Sequence, residues 1–286
     1  MGVFLIERQM ELPFVYDFDR ALDRLATSPV NAVDSAERLI RIPMDEGNVV
    51  TLRGTGTTVK PAFTMQGLLN DTQFEEVKAI FHFDRPLDGI QAHFVGTDLE
   101  PLFMEHAGTP LIKSFSLYGD LMTSIIHQQL NLSFAHTLTQ RFVESYGEQV
   151  EGVWRYPSPE RVALLDVSEL RDRQFSTRKA EYIIGLSQSI AEGTLDLEQF
   201  KRMDDAEVVA RLVAFRGVGP WTAQNFLMFG LGRPNLFPLA DIGLQNALKK
   251  LWGMDRKPTK EEMLDRFPVW SPYLSYAALY LWRSIE

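Results

Sequence analysis

The chain contains no cysteine, no long apolar run and fewer basic than acidic residues. Without cysteine it cannot form disulfides, use a thiolate nucleophile, or hold zinc or an iron–sulfur cluster through sulfur ligands. No window approaches the ~20 apolar residues of a membrane span, and the N-terminus shows no targeting pattern. With 286 residues, 45% of them hydrophobic, the sequence predicts a globular protein, for which we expect a cytoplasmic location and no membrane partner.

The net charge of −9 disfavours a nucleic-acid partner at first sight, because phosphate binding needs clustered lysine and arginine. The charge is uneven, however. Residues 1–108 hold 9 Lys and Arg against 17 Asp and Glu, whereas residues 109–286 hold 20 against 21. A polyanion would therefore contact the second part. The five histidines show neither i, i+4 pairing nor nearby acidic residues at ligand spacing, which argues against a catalytic zinc site.

The sequence changes in character near Gly108. The preceding residues mix short β-like runs with turn residues, and they predict a small antiparallel sheet with one or two helices, one of them near residues 17–25. Strands are predicted at 3–6, 39–42, 48–53 and 77–83. From Asp120 onward, helical periodicity and helix caps dominate. We therefore predict an α+β protein with an N-terminal accessory domain (1–108) and an all-helical domain (109–286).

The segment FRGVGPWTAQ, at 215–224, predicts a hairpin between two helices. Gly217 and Gly219 permit a positive φ and close backbone approach, and Pro220 is typical of the first position of a helix. The free N–H groups at the start of that helix, as far as Thr222, would form an anion site together with the helix dipole. One phosphate would fit there. An ordinary corner between two helices is the alternative explanation.

Asp241 stands alone among apolar residues in LFPLADIGL, where another helix begins. It could be a helix N-cap or a functional carboxylate. The hairpin, this aspartate and the upstream segment IIHQQLNLSFA occur in an order that resembles the helix-hairpin-helix Gly/Pro…Asp superfamily of DNA glycosylases. Within it, the pattern is most similar to the bacterial 3-methyladenine DNA glycosylase II branch. The resemblance covers most of 109–286.

This resemblance implies a monofunctional enzyme of base excision repair. It would flip alkylated purines, such as 3-methyladenine and 7-methylguanine, out of DNA and hydrolyse the N-glycosidic bond to leave an abasic site. Asp241 would be the catalytic group, which stabilises the oxocarbenium ion or orients water. One carboxylate suffices because the leaving base is already cationic. Trp221 occupies the position at which bifunctional relatives carry lysine, so no lyase step is expected.

The resemblance also implies the residues that contact the base and the DNA. The C-terminal run WSPYLSYA is similar to a tryptophan-rich segment of that branch, and it implies a base pocket built from Trp221, Trp270, Tyr273 and Tyr276, with Tyr273 stacking on the cationic base. Core packing is the alternative for these aromatics. Gln129 would fill the vacated base position, and the adjacent Leu130 could do the same work, unless this segment is simply a connector between helices.

Further expectations concern ions, partners and the first domain. The resemblance implies that the backbone carbonyls of Val213, Phe215 and Val218 hold a sodium or potassium ion, with no other cofactor and no nucleotide. We expect a monomer that binds double-stranded DNA, with the N-terminal part forming one wall of the base pocket near 18–25. The alternatives are an oxidised-guanine glycosylase, which would need the lysine that Trp221 replaces, a non-catalytic helix-hairpin-helix DNA-binding protein, and an unrelated helical protein.

Overall fold

The computed structural model describes residues 6–44, 47–68 and 70–286. Its first part is a five-stranded antiparallel sheet in the order β1-β5-β4-β3-β2. Alternate residues of the central strands are buried, so that Ile40 and Leu52 pair across β3 and β4 with no exposed surface. The strands are β1 (Ile6–Glu11), β2 (Ala32–Asp34), β3 (Leu39–Pro43), β4 (Val49–Gly54) and β5 (Ala62–Gly67).

Four helices accompany this sheet, at α1 (Phe18–Ala26), α2 (Asp71–Phe81), α3 (Leu87–His93) and α4 (Glu100–Glu105). The helix expected near 17–25 is present, with Asp17 as its N-cap. The strand predicted at 77–83 is wrong. Residues 77–81 belong to α2, because Val77, Ile80 and Phe81 recur at helical spacing and an Asn70 capping box begins the helix. The predicted strand at 3–6 lies outside the described residues except for Ile6, where β1 starts.

The second part is helical, as predicted, apart from a two-stranded ribbon of β6 (Glu148–Val150) and β7 (Val153–Arg155). Serine or asparagine side chains cap the longer helices, as at α5, α6 and α9. Its helices are α5 (Leu117–His127), α6 (Leu132–Tyr146), α7 (Pro159–Ala163), α8 (Val167–Asp172), α9 (Thr177–Ala191), α10 (Asp205–Val213), α11 (Pro220–Asn225), α12 (Ile242–Leu251), α13 (Lys260–Leu264), α14 (Phe267–Trp270) and α15 (Leu274–Arg283), with a 3-10 turn at Gln199–Arg202 and a π-helical turn at Phe226–Gly230. The predicted α+β class is confirmed.

Two hydrophobic cores hold these elements together. The first core joins the sheet and α1 to α4 with the C-terminal helices α12 to α15, and in it Phe103 stacks on Tyr280 with ring centroids 3.8 Å apart. The second core lies among α5 to α11. The predicted domain division at 108/109 stays a prediction, and the first core extends across it. None of the helices among the described residues is long and apolar enough to span a membrane.

Candidate active site

The hairpin between α10 and α11 is fixed by its two glycines in different ways. Gly217 has φ +91°, and a Cβ there would lie 2.3 Å from the ring of Tyr182, so both the backbone and the packing require glycine. Gly219 has φ −96° and no other atom within 4 Å of a Cβ position. The positive φ therefore occurs at Gly217, whereas Gly219 leaves open space in front of the start of α11.

The start of α11 presents free donors, in part as predicted. Among the described residues, no group accepts a hydrogen bond from the N–H of Gly219, Trp221 or Thr222. The Thr222 side chain is 1% exposed, and its hydroxyl accepts a hydrogen bond from Gln128 Nε2 at 3.1 Å. The prediction that Thr222 binds DNA can therefore hold for its backbone N–H but not for its side chain.

The loop after α5 is tied to the hairpin. Gln128 Nε2 also donates to the Gly217 carbonyl at 2.9 Å. Lys179 Nζ donates to the carbonyls of Ile125, Ile126 and Gln128 at the end of α5, which fixes the backbone where the loop begins. Burial lowers the pKa of Lys179 to about 8.

The two residues predicted to fill the vacated base position differ in how the structure holds them. Gln129, in the left-handed region with φ +56°, is exposed beside the hairpin. Leu130 instead packs against the second core. A packed side chain cannot enter the DNA without leaving the core, so the geometry favours Gln129 over Leu130.

Asp241 is both an N-cap and a carboxylate with a free oxygen. Its Oδ1 accepts hydrogen bonds from the Leu244 N–H and from Trp282 Nε1, each at 2.9 Å. Oδ2 has no donor among the described residues, and the residue is half-buried. The two explanations of this residue are therefore compatible, because capping and the tryptophan occupy one oxygen and leave the other for a ligand.

Trp282 connects this carboxylate to the hairpin helix, and sequence reasoning missed it. Its ring lies beside Phe229, with centroids 6.1 Å apart, and Phe229 belongs to the π-helical turn that continues α11. A tryptophan near the end of the last helix gives no local sign that it contacts a residue 41 positions earlier. The available signal was chemical: an indole N–H is a hydrogen-bond donor, and an isolated carboxylate needs such donors.

A cavity of about 960 Å³ lies beside Phe229. Its walls come from α1, α5, α11 and α15, and they include Arg24, Leu25, Asp120, His127, Trp221 and Leu279. Part of the segment 18–25, expected to form a wall of the base pocket, lines this cavity, whereas Phe18 lies in the first core at 2% exposure and Asp241 is not among the lining residues. A cavity of this volume is in the range of small-molecule sites and would admit a purine.

Two titratable groups of the cavity wall are shifted towards their neutral forms. Burial raises the pKa of Asp120 to about 7, against the opposing effects of the Ser114 hydroxyl and of Arg24. Ser114 Oγ donates to Asp120 Oδ1 at 2.6 Å, whereas Oδ2 is buried without a partner among the described residues. Burial lowers the pKa of His127 to about 4, and its Nε2 pairs with Thr139 Oγ1 at 3.0 Å. At neutral pH this histidine is uncharged.

Two of the predicted base-pocket aromatics are core residues instead. Trp270 is fully buried, donates to Asp98 Oδ1 at 3.0 Å and packs on Phe237. Tyr276 is also fully buried in the first core. The prediction that these two face a base is therefore wrong, because neither has surface to offer. Tyr273 is half-buried, edge-on to the His93 ring at 5.2 Å, and is not among the cavity-lining residues.

The three hairpin carbonyls predicted to hold a monovalent cation keep unused acceptor capacity. Among the described residues, no group donates to the carbonyl of Val213 or Val218, and the Phe215 carbonyl accepts a single hydrogen bond, from the Val218 N–H at 3.1 Å. Each carbonyl therefore retains acceptor capacity. The described part of the chain contains no cluster of three or more His, Asp or Glu side chains that could hold a metal ion.

Comparison with known proteins agrees with this arrangement. Residues 122–272 match the family described as "HhH-GPD superfamily base excision DNA repair protein". The chain belongs to this superfamily. The matched region includes the Gln128 loop, the hairpin and Asp241, so the predicted superfamily is confirmed.

One relative matches this superfamily member over nearly its whole length, and others match part of it. The Bacillus subtilis protein named "Putative DNA-3-methyladenine glycosylase YfjP" is 53% identical over 95% of this chain and 96% of its own. A second B. subtilis protein, named DNA-3-methyladenine glycosylase, is 36% identical over 65% of this chain and 67% of its own. A solved 3-methyladenine DNA glycosylase from Archaeoglobus fulgidus has the same fold, with a TM-score of 0.80, 22% identity and coverage of 96% and 97%. Further solved neighbours are DNA glycosylases in complex with DNA.

Proposed function

We propose that this superfamily member is a monofunctional DNA glycosylase, which flips alkylated purines out of double-stranded DNA and hydrolyses their N-glycosidic bond. The relatives named as 3-methyladenine glycosylases support this activity. The observation that carries the chemistry is the free Oδ2 of Asp241, in a carboxyl group oriented by the Leu244 N–H and Trp282 Nε1. By resemblance, bifunctional members carry a lysine at the position of Trp221. The absence of that amine supports a reaction that ends at the abasic site without cutting the strand.

The proposed reaction needs one carboxylate and a water molecule. As the bond breaks, its electron pair goes to the purine, which loses its positive charge, and the sugar carbon becomes electron-poor. The Asp241 carboxylate stabilises that developing charge, or orients the water that adds to the sugar carbon and releases a proton to solvent. A cationic purine leaves without protonation, so the second carboxyl group that ordinary glycosidases use as a general acid is not required.

DNA would be held by groups on the same side of the site. The free N–H groups at the start of α11 suit a phosphate, and Gly219 leaves room for it to approach. Gln129, exposed on its fixed loop, would occupy the position that the flipped base vacates. A sodium or potassium ion on the carbonyls of Val213, Phe215 and Val218 would add positive charge beside that phosphate. We propose that the enzyme acts as a monomer without a nucleotide or redox cofactor.

The activity is tested by incubating the protein with randomly methylated duplex DNA and measuring free 3-methyladenine and 7-methylguanine. Wild-type protein should release base and leave an alkali-labile abasic site without cutting the strand itself. Asp241→Asn should lower the single-turnover rate by about 10² to 10³-fold, as expected for the loss of a preorganised charge. Asparagine still caps a helix, so the fold should be retained.

A matched control is Asp166→Asn, which makes the same change at the N-cap of α8. It should leave base release unchanged. Release by Asp241→Asn near the wild-type rate would refute the catalytic assignment. DNA binding by the wild type without any base release would instead indicate a non-catalytic helix-hairpin-helix protein. Release of oxidised guanine with strand cleavage would indicate the alternative glycosylase class.

A further inference from the structure

Arg24 reaches into the cavity from the N-terminal part of the chain. Its Cζ lies 4.0 Å from the centroid of the Phe229 ring, so the guanidinium is held over that face by a cation–π contact. Phe229 neighbours Trp282, which binds Asp241. The guanidinium therefore lines the same cavity as Trp221, one aromatic ring away from the tryptophan that orients the carboxylate.

The donors of this guanidinium are free. Among the described residues, no group accepts a hydrogen bond from it and none forms an ion pair with it. The charged and titratable groups facing it are Asp120 and Glu286, which act on it only through longer-range attraction. Arg20 on the same helix differs, because its guanidinium pairs with Asp23 at 2.8 Å. A guanidinium is a planar group with five N–H donors. When stacking fixes its orientation and no acceptor pairs with it, it is suited to binding acceptor atoms on the edge of a planar ring.

We infer that Arg24 is a specificity residue, whose guanidinium donates to the O6 atom of the flipped base and so favours alkylated guanine over alkylated adenine. This inference rests on the proposed function. At the C6 position guanine carries a carbonyl acceptor, whereas adenine carries an amino donor. Adenine would place donor against donor and leave the guanidinium unpaired, which is the usual basis of strong discrimination.

The same contact favours bond cleavage and not only binding. An alkylated guanine is cationic in the ground state, and the nearby guanidinium repels it. When the glycosidic bond breaks, the base receives the electron pair and becomes neutral, so that O6 becomes a better acceptor. The repulsion disappears and the hydrogen bond strengthens as the bond breaks, and an interaction of this kind raises the rate of the chemical step.

The test uses the full chain and one preparation of randomly methylated duplex, so that both bases are measured in the same reaction. Arg24→Gln should lower the single-turnover rate of 7-methylguanine release by about 10- to 100-fold, the usual effect of losing a charged base contact. Release of 3-methyladenine should change little. Arg24→Lys keeps the charge but not the fork, and it should lower the ratio of the two rates in the same direction.

Arg20→Gln is the matched control, because it removes the same charge from the same helix and from another residue of the cavity wall. It should leave the ratio unchanged. An unchanged ratio in Arg24→Gln would overturn the inference. An equal loss for both bases, with weaker salt-dependent DNA binding, would overturn it in favour of a phosphate contact. If Arg24→Gln fails to fold, the ratio measured for Arg24→Lys decides. If wild-type protein releases neither base, the proposed function fails first.

Discussion

Ionisation of the buried Asp120 carboxyl group destabilises the folded protein, and a single substitution should remove this effect. Its Oδ2 is buried and finds no partner in the described part of the chain, and burial raises the pKa of this carboxyl group to about 7. The folded protein therefore prefers the protonated acid more than the unfolded chain does. The resulting contribution to stability is complete below the ordinary carboxyl pKa of about 4 and is lost as pH rises through about 7.

The size of this effect follows from the difference between the two pKa values. A rise from 3.8 to about 7 corresponds to ~4 kcal/mol, at ~1.4 kcal/mol for each tenfold change. The side chain is partly exposed to the cavity, so solvent screening reduces our expectation to ~2 kcal/mol. Asparagine has the same shape and can still accept from Ser114, but it does not ionise. Asp120→Asn should therefore be ~2 kcal/mol more stable than wild type at pH 8 and nearly equal at pH 4.

The assay is thermal unfolding between pH 4 and pH 8, in which ~2 kcal/mol should raise Tm by roughly 4 °C for a chain of this size. Asp23→Asn is the control, because Asp23 lines the same cavity but is exposed and paired with Arg20. It should gain no stability at high pH. Equal unfolding temperatures for wild type and Asp120→Asn at pH 8, or a gain that persists at pH 4, would refute the reasoning.

Other substitutions test the hairpin and the support of the carboxylate. Gly217→Ala puts a Cβ 2.3 Å from Tyr182 at φ +91° and should lower the free energy of unfolding by ~2 kcal/mol or more in denaturant titrations. Gly219→Ala enters open space, so stability should stay within ~0.5 kcal/mol while DNA affinity falls in anisotropy titrations. Equal destabilisation of the two would contradict this turn geometry. Trp282→Phe removes the 2.9 Å hydrogen bond to Asp241 and should slow base release about tenfold with Tm nearly unchanged, whereas a wild-type rate would show that this bond does not position the carboxylate.

The hairpin and its aspartate were predictable because their signals are local. Glycine and proline restrict or release the backbone at their own positions, and an N-cap bonds within its own first turn. Gly217 therefore predicts the end of a helix, and Pro220 and Asp241 each predict the start of one, within a short stretch of sequence. The helices of the second part were predictable for the same reason.

The other members of the site depend on contacts between distant segments. The direction in which an aromatic side chain faces is decided by what the helix packs against, and for Trp270 this is Asp98 in the first part of the chain. Trp282, Phe229 and Arg24 meet only because α15, the π-helical turn after α11 and α1 lie next to one another in the fold. The strand wrongly predicted at 77–83 has a comparable cause, since a short apolar run does not distinguish a strand from a buried helix face.

The first hydrophobic core also has a consequence for biosynthesis. The N-terminal part and the last helices share this core, in which Phe103 of α4 stacks on Tyr280 of α15. During translation, the apolar face of α4 that packs against Tyr280 must wait until the last helix emerges, on the order of ten seconds at ordinary elongation rates. A prematurely terminated product would expose this face to chaperones and proteases.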